Sequence, residues 1–182
     1  MRKAMFFDLQ GTLGGEFLGD IREFKFYPYS IEALKTAKDN GFLVFIITNQ
    51  SRIAKGFFSL EEYKEHEDRL INEMSSEGLK IDGFYCCPHN KDQCECKKPK
   101  PGMIEAALQE NSIDIKNSFV IGDLGSSDML LAKNIGSKSI LVLTGGGHGS
   151  LGDYRSTWEN VEPTYIANNV EDGVKVVIKD ES

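Results

Sequence analysis

The sequence has no long apolar run, no excess of positive charge and no stretch of low complexity, and each absence removes a class of protein. Two basic residues at the N-terminus are followed only by Ala4 to Phe7 before the acidic Asp8, too short a run for a signal peptide or a membrane span. No later segment is long enough either. Lysine and arginine total 21 against 28 acidic residues, a formal net charge of −7, and no basic stripe offsets it. A surface of that sign repels nucleic-acid backbones and anionic lipid, so neither nucleic acid nor membrane is expected as a partner. Cysteine is scarce, four residues in all. Without an export signal these belong in a reducing cytoplasm, where metal binding or burial is favoured over a disulfide. An anionic small substrate stays admissible only if a local group of positive residues holds it against the overall field.

What is present suffices for one core. With 182 residues, 40% hydrophobic and 10% aromatic, a single domain over residues 1–182 is expected, and a monomer is compatible with it. Charged residues, 27% of the chain, are interleaved with the apolar ones, which argues against disorder away from the last few residues. Short apolar runs (Lys3 to Phe7, Phe42 to Ile47, Gly83 to Cys86, Phe119 to Ile121, Ser139 to Leu143) alternate with stretches of helical period. That alternation predicts an α/β fold with a mainly parallel sheet. Ser30 is expected to cap a helix carrying Ile31, Leu34 and Ala37. Ser59 and Glu62 form a capping box before Leu60, Tyr63, Leu70, Ile71 and Met74 at helical spacing. Pro101 suits a first helical turn and Asn111 an end; Ser126 or Ser127 starts a further helix that Gly136 terminates. The tail predicts an edge strand at Thr164 to Ala167, then a helix or a strand from Val170 to Ile178. The glycine-rich region Gly145 to Gly149 reads as a mobile loop.

In open α/β sheets ligands sit at the carboxyl ends of the strands, and here the residues after each run are polar. Asp8-Leu9-Gln10-Gly11-Thr12-Leu13 follows the first; a carboxylate at a strand tip can accept a phosphoryl group, although Asp-x-x-Gly-Thr alone also reads as a turn. Thr48-Asn49-Gln50-Ser51 follows the second, with hydroxyls and amides suited to phosphate oxygens or to a helix cap. Lys97-Lys98-Pro99-Lys100-Pro101-Gly102 lies beyond the third, a lysine before a rigid turn or simply a solvated basic loop. Gly122-Asp123 follows the fourth, with Asp128 five residues on. Carboxylates beside Asp8 suit Mg²⁺, which takes oxygen ligands and bridges to phosphate; an N-cap is the other reading of Asp128.

These four tips, in this order, resemble the haloacid dehalogenase superfamily of phosphotransferases. The stretches Thr48-Asn49-Gln50-Ser51 through Lys55-Gly56-Phe57-Phe58, then Cys87-Pro88-His89, Cys94-Glu95-Cys96 and Lys98-Pro99-Lys100-Pro101-Gly102-Met103, are similar to its histidinol-phosphate and heptose-bisphosphate phosphatase branch. The resemblance covers about residues 3 to 145. It implies a Rossmann-like three-layer sandwich without a large cap domain, and hydrolysis of a small phosphorylated metabolite through an aspartyl-phosphate. Carried over by position, Asp8 would attack phosphorus and also ligate Mg²⁺, with Asp123 and the backbone carbonyl of Gln10 as further ligands and Asp128 orienting the metal shell. Thr48 and Asn49 would hold the phosphoryl oxygens, and Lys98 would offset charge in the transition state. Ser51, Arg52, Lys55, Lys97 and Lys100 are the candidate contacts to the substrate body, with surface solvation as their alternative.

Cys87, His89, Cys94 and Cys96 place three thiols and an imidazole within ten residues (87–96), a set sufficient for closed tetrahedral Zn²⁺. A chance grouping of buried cysteines is the alternative, and the adjacent Cys86 reads as packed in its strand. With no open position the zinc would be structural, a staple on the loop leading into Lys97 and Lys98. The short spacing between the pairs is more like the histidinol-phosphate type than the heptose type.

The chain departs from the family where a second aspartate, two residues after the nucleophile, protonates the leaving alcohol and later deprotonates water. Here that residue is Gln10. An amide exchanges no proton at neutral pH, so a general acid-base contribution of about 10²–10⁴-fold, about 3–5 kcal/mol, is missing. Gln10 then suits a good leaving group such as an acyl or aryl phosphate, or marks a slow or phosphate-binding relative, or is an engineered change. Lys97 and Leu124 where arginine is common, and Arg52 where glycine is common, are lesser departures. Three function classes follow: a phosphatase, a catalytically weak phosphate- and metal-binding relative with a recognition role, and a zinc-centred interaction module.

Overall fold

The computed structural model describes residues 1–181; Ser182, the last residue of the expected domain, lies outside them. Six parallel strands form one sheet: β1 (Ala4–Phe7), β2 (Leu43–Asn49), β3 (Gly83–Cys87), β4 (Phe119–Gly122), β5 (Lys138–Val142) and β6 (Tyr165–Ala167). Their spatial order is β3-β2-β1-β4-β5-β6. The chain therefore winds from β1 outward in one direction, then restarts at β4 and winds in the other, which makes the gap between the β1 and β4 tips the topological switch point.

The central strands β1, β2, β4 and β5 are buried on both faces, which is why they read as continuous apolar runs, while the edge strands β3 and β6 are only partly buried. Alternate residues serve opposite layers. Met5, Phe7, Val44 and Ile46 pack with helices α1 (Ser30–Asp39), α2 (Leu60–Ser76) and α6 (Val170–Glu181). Ala4, Phe6, Leu43, Phe45 and Ile47 face the opposite side, against α3 (Gly102–Glu110) and α4 (Leu130–Ile135). Phe6 and Phe45 stack there at 5.1 Å. The result is the α/β fold with a parallel sheet that the alternating pattern predicted, in the three-layer form that the family resemblance implied. Between β1 and α1, residues 9–29 form a loop with one short 3₁₀ turn, Ile21–Glu23. Among the described residues, no helix is long and apolar enough to cross a membrane.

The Ser59–Glu62 capping box of α2 is present, each side chain bonded to the other's backbone N–H at 3.0 Å. Gly136 ends α4 in the left-handed conformation. The undecided tail is a helix, because Val170, Gly173, Val174 and Val177 fall on one buried stripe. Two expectations need correction. Ser30 is not the cap of α1: Tyr29 occupies that position, and Ser30 is already inside the helix with its buried hydroxyl lacking a partner. The turn that brings Ser30 N–H to the Tyr27 carbonyl (3.0 Å) starts the helix one residue earlier. Gly145 to Gly149 is not merely a loop, since residues from Gly147 build a short helix, α5 (Gly147–Leu151), against the β4 tip.

Candidate functional site

Asp8 leaves β1 and Asp123 leaves β4, so the switch point brings the two carboxylates together. The carboxylate oxygens of Asp8, Asp123 and Asp128 lie within 4.8 Å of one another, and all three residues are buried. Asp128 is carried there by a single π-helical turn, Gly125–Met129, that precedes α4. Its Oδ2 accepts from the Leu124 N–H at 3.2 Å. Close approach requires Gly122, where a Cβ would stand 2.2 Å from the Asp128 carboxylate. Gly11, at φ +86°, turns the chain after Asp8, and a Cβ there would meet Asp123 at 2.3 Å.

Lys98 is 4% exposed, and its ammonium donates to Asp8 Oδ1 (2.7 Å), Asp128 Oδ1 (2.7 Å) and the Ile47 carbonyl (3.2 Å). Thr12 donates from its hydroxyl toward Asp8 Oδ2 (3.0 Å) and Asp123 Oδ1 (3.3 Å). Asp123 Oδ2 accepts from the Gly146 N–H at 2.6 Å. Ser150 Oγ donates to the Asp123 carbonyl (2.9 Å) and accepts from the Gly125 N–H (3.1 Å), so α5 braces the β4 tip.

Three buried carboxylates face this one ammonium. Burial first, then the charges of Asp8 and Asp128, pushes Asp123 up to about 9, with the Gly146 N–H opposing. Burial also raises Asp128, to about 6, against the pull of Lys98. Burial works against the Lys98 charge, but Asp128 and Asp8 outweigh it and hold the ammonium protonated. The centre is thus short of positive charge, and its hard oxygen donors fit a small divalent cation.

Along the same edge, Thr48 is buried and its Oγ1 accepts from Gln50 Nε2 at 2.9 Å. Gln50 Nε2 also donates to Gln10 Oε1 (2.7 Å), and Gln10 Nε2 donates to the Gly19 carbonyl (2.6 Å). This relay ties the β2 tip to the 9–29 loop. Arg52 adds a second tie, donating to the Leu18 carbonyl at 2.8 Å while its guanidinium lies 5.0 Å from the centre of the Phe57 ring. Beside the relay opens a cleft of about 360 Å³ lined by Gln10, Phe17, Leu18 and Gly19 on one side and by Asn49 to Arg52, Lys55 and Phe57 on the other.

Two of the candidate lysines lie off the cleft, and the Asn49 amide, at its edge, has a partner in the protein. The Asn49 carboxamide is engaged with the Lys98 backbone on both atoms, accepting from its N–H (3.0 Å) and donating to its carbonyl (3.2 Å), so it positions the lysine. Lys100 turns into the cysteine loop, donating to the Cys94 carbonyl (2.7 Å) and to Glu95 (3.2 Å). Lys97 lies on the turn where its carbonyl accepts from the Lys100 N–H, and it does not line the cleft. Ser51, Arg52 and Lys55 do.

Cys87, at the end of β3, meets His89, Cys94 and Cys96 with all four donor atoms within 4.8 Å. His89 turns Nδ1 inward, 3.3 Å from Cys96 Sγ and 3.7 Å from Cys87 Sγ. These three thiols and one imidazole, the members of this cluster among the described residues, fit closed tetrahedral zinc. Cys86 points to the other face, where burial pushes its thiol up to about 12. The motif reading missed Thr12, Gln50, Gly146 and Ser150. The first two lay inside motifs already singled out, while the last two lay in glycine-rich sequence without periodicity.

Residues 95–173 match a family model described as HAD-hydrolase-like. The D-glycero-beta-D-manno-heptose-1,7-bisphosphate 7-phosphatase of Pasteurella multocida is 39% identical over 155 residues, covering 80% of this chain and 84% of that one. The D-glycero-alpha-D-manno-heptose-1,7-bisphosphate 7-phosphatase of Photorhabdus laumondii is 34% identical over 179 residues, 92% of each. These relatives are of the heptose type, the one that the loop spacing had favoured less. Among solved structures, the D,D-heptose 1,7-bisphosphate phosphatase of B. bronchiseptica, complexed with magnesium and phosphate, shares the fold at a TM-score of 0.86. It is 24% identical, with 98% of this chain and 99% of that one covered.

Proposed function

The chain belongs to the HAD-like hydrolases, in the branch of the heptose-bisphosphate phosphatases, and from that premise we propose that it is a Mg²⁺-dependent phosphomonoester phosphatase acting on a small phosphorylated metabolite. The observation that carries this reading is the convergence of Asp8 and Asp123 at the β1–β4 switch point, with Lys98 donating to Asp8.

Asp8, Asp123 and the Gln10 carbonyl would hold Mg²⁺, with Asp128 orienting the shell. When bound, the ion supplies the positive charge that the centre lacks. Asp8 is the nucleophile: its carboxylate oxygen bonds to phosphorus as the ester oxygen departs, leaving an aspartyl-phosphate that water then hydrolyses. Lys98 lies between Asp8 and Asp128 and offsets negative charge on the phosphoryl oxygens. Thr48 has its Oγ1 already accepting, so its O–H is left to donate to a phosphoryl oxygen. Ser51, Arg52 and Lys55 form the local polar and cationic wall that a substrate body needs on a chain of net negative charge. Cys87, His89, Cys94 and Cys96 would hold a structural Zn²⁺ that stiffens the approach to Lys98. The chain works as one domain in a reducing, cytoplasmic setting.

The test is phosphate release from a panel of phosphorylated metabolites, sugar phosphates first, with Mg²⁺ present. The native chain is expected to release phosphate and Asp8→Asn to fall to background. A second reading is favoured by one observation: Gln10 offers no proton. On that reading the chain is a weakly catalytic phosphate- and metal-binding relative. Native protein indistinguishable from Asp8→Asn on every compound, with phosphate binding retained, would decide for it.

A further inference from the structure

Two of the three site carboxylates come from one short stretch of chain, and that stretch is held from behind. Asp123 stands just past the end of β4, and Asp128 returns to it across the π-helical turn Gly125–Met129. The second half of this path is fixed from within: the Asp128 N–H donates to the Leu124 carbonyl (2.8 Å) and the Leu124 N–H to Asp128 Oδ2 (3.2 Å). The first half depends on a residue outside it. The Asp123 carbonyl and the Gly125 N–H both go to one hydroxyl, Ser150 Oγ, at 2.9 and 3.1 Å. Ser150 is 1% exposed and is itself fixed. Its N–H donates to the Gly146 carbonyl (2.8 Å), while the Gly146 N–H donates to Asp123 Oδ2 (2.6 Å), so one short segment holds both the main chain and the carboxylate of Asp123. The Ser150 carbonyl accepts from the indole N–H of Trp158 (2.9 Å), the one tryptophan of the chain. That ring packs with Met129, the residue after Asp128, and lies so close to Gly125 that a Cβ there would stand 2.0 Å from it. The Arg155 guanidinium covers the ring, 4.1 Å from its centre. Neither Ser150 nor Trp158 lines the cleft.

Rigidity of this stretch matters differently to different cations. Mg²⁺ demands nearly octahedral oxygen ligands at about 2.0–2.1 Å, whereas Ca²⁺ accepts about six to eight at about 2.3–2.6 Å in flexible arrangements. We propose that Ser150 is a positioning residue for the cation site, and that by clamping the main chain from Asp123 to Gly125 it makes the site select Mg²⁺ over Ca²⁺. The proposal rests on the Mg²⁺-dependent phosphatase reading and goes beyond it to the origin of the metal preference. Without the hydroxyl, the Asp123 carbonyl and the Gly125 N–H lose a buried partner, and the peptides between them are free to turn. The carboxylates of Asp123 and Asp128 can then spread apart, a change that Ca²⁺ follows and Mg²⁺ does not.

The experiment titrates Mg²⁺ and, separately, Ca²⁺ by calorimetry into the full chain dialysed free of both, comparing native protein, Ser150→Ala and Trp158→Phe, with Asp123→Asn as the blank for the site. Trp158→Phe keeps a ring on Gly125 and removes the N–H that holds the Ser150 carbonyl, so it is read in the same way if Ser150→Ala does not fold. Removing a partner that supports metal ligands typically costs about 10–100-fold in affinity. The Mg²⁺ dissociation constant is therefore expected to rise about 10-fold or more in Ser150→Ala, and in the same direction by less in Trp158→Phe. That of Ca²⁺ should rise less, so that the ratio of the two constants shifts toward Ca²⁺. Thermal unfolding of the same samples separates this from plain destabilisation. A lowered Tm with both constants unchanged, or with Ca²⁺ weakened as much as Mg²⁺ or more, overturns the proposal and leaves the Mg²⁺-dependent reading standing. Native protein that takes up Mg²⁺ no better than Asp123→Asn overturns both.

Discussion

Lys98 holds together charges that would otherwise repel. Its ammonium is buried between Asp8 and Asp128, and truncating it would leave two carboxylates in a dry site with their neighbour Asp123. Breaking a buried pair by removing one partner costs about 3–5 kcal/mol, because the remaining charge has lost its compensation. Lys98→Met should lose about that much stability in urea unfolding without Mg²⁺, and lose phosphatase activity with it. A stability within about 1 kcal/mol of native would mean that water already solvates the pair. At this scale the reading of the motifs was most complete. Asp8, Asp123, Asp128 and Lys98 were all singled out from strand-tip position and chemical type, and they meet. Asn49 was singled out for phosphate; that it clamps the Lys98 backbone was not legible, because this contact depends on a partner 49 residues away.

The elements explain how Lys98 reaches the site at all. It follows β3 across a loop that carries its own four donors, Cys87, His89, Cys94 and Cys96, and that loop is tied to the start of α3 by the Gly102 N–H donating to the Glu95 carbonyl (2.9 Å). A metal that closes this loop favours the folded chain by mass action, about 2.7 kcal/mol at a hundredfold excess over its dissociation constant. At about 2–4 °C per kcal/mol for a chain of this size, stripping zinc with a chelator or by Cys94→Ser should lower Tm by about 5–10 °C. Elemental analysis should find one zinc per native chain. A purified chain without zinc whose Tm ignores both treatments would reduce the cluster to packed thiols. Element type was legible where period and punctuation agreed, as in α2 with its Ser59–Glu62 box. It was not legible for α5, because Gly145 to Gly149 has too few side chains to show a period, and only the braces from Gly146 and Ser150 to Asp123 reveal a use for it.

For the whole molecule, the buried acid cluster makes stability depend on pH and cation together. A carboxyl group whose value is raised on folding binds its proton more tightly in the folded chain. Its stabilising contribution is therefore complete below the unfolded value and is lost as pH rises through the folded one. For Asp128 and Asp123 that window runs from the usual carboxylate value of about 3.9 through about 6 and on to about 9. Protein freed of divalent cations should lose Tm across this range, and Mg²⁺ should restore it by offsetting the charges as they form. The quantity to follow is the Tm difference with and without Mg²⁺, which removes the titration of distant surface groups. It should widen from pH 5 to pH 8; a difference that is flat or shrinking with pH would remove the cation from between these carboxylates.

The amino-acid sequence by itself determined the layered α/β plan, through apolar runs buried on both faces, and the chemical types at the strand tips, because both are local properties of the chain. Only the tertiary structure decided which groups touch. The winding reversal between β1 and β4 sets Asp8 beside Asp123, 115 positions apart in the chain as numbered. Folding of the 9–29 loop onto the β2 tip fixes Gln10 between Gln50 and Gly19. Such contacts arise from packing across the sheet, where distance along the chain carries no information.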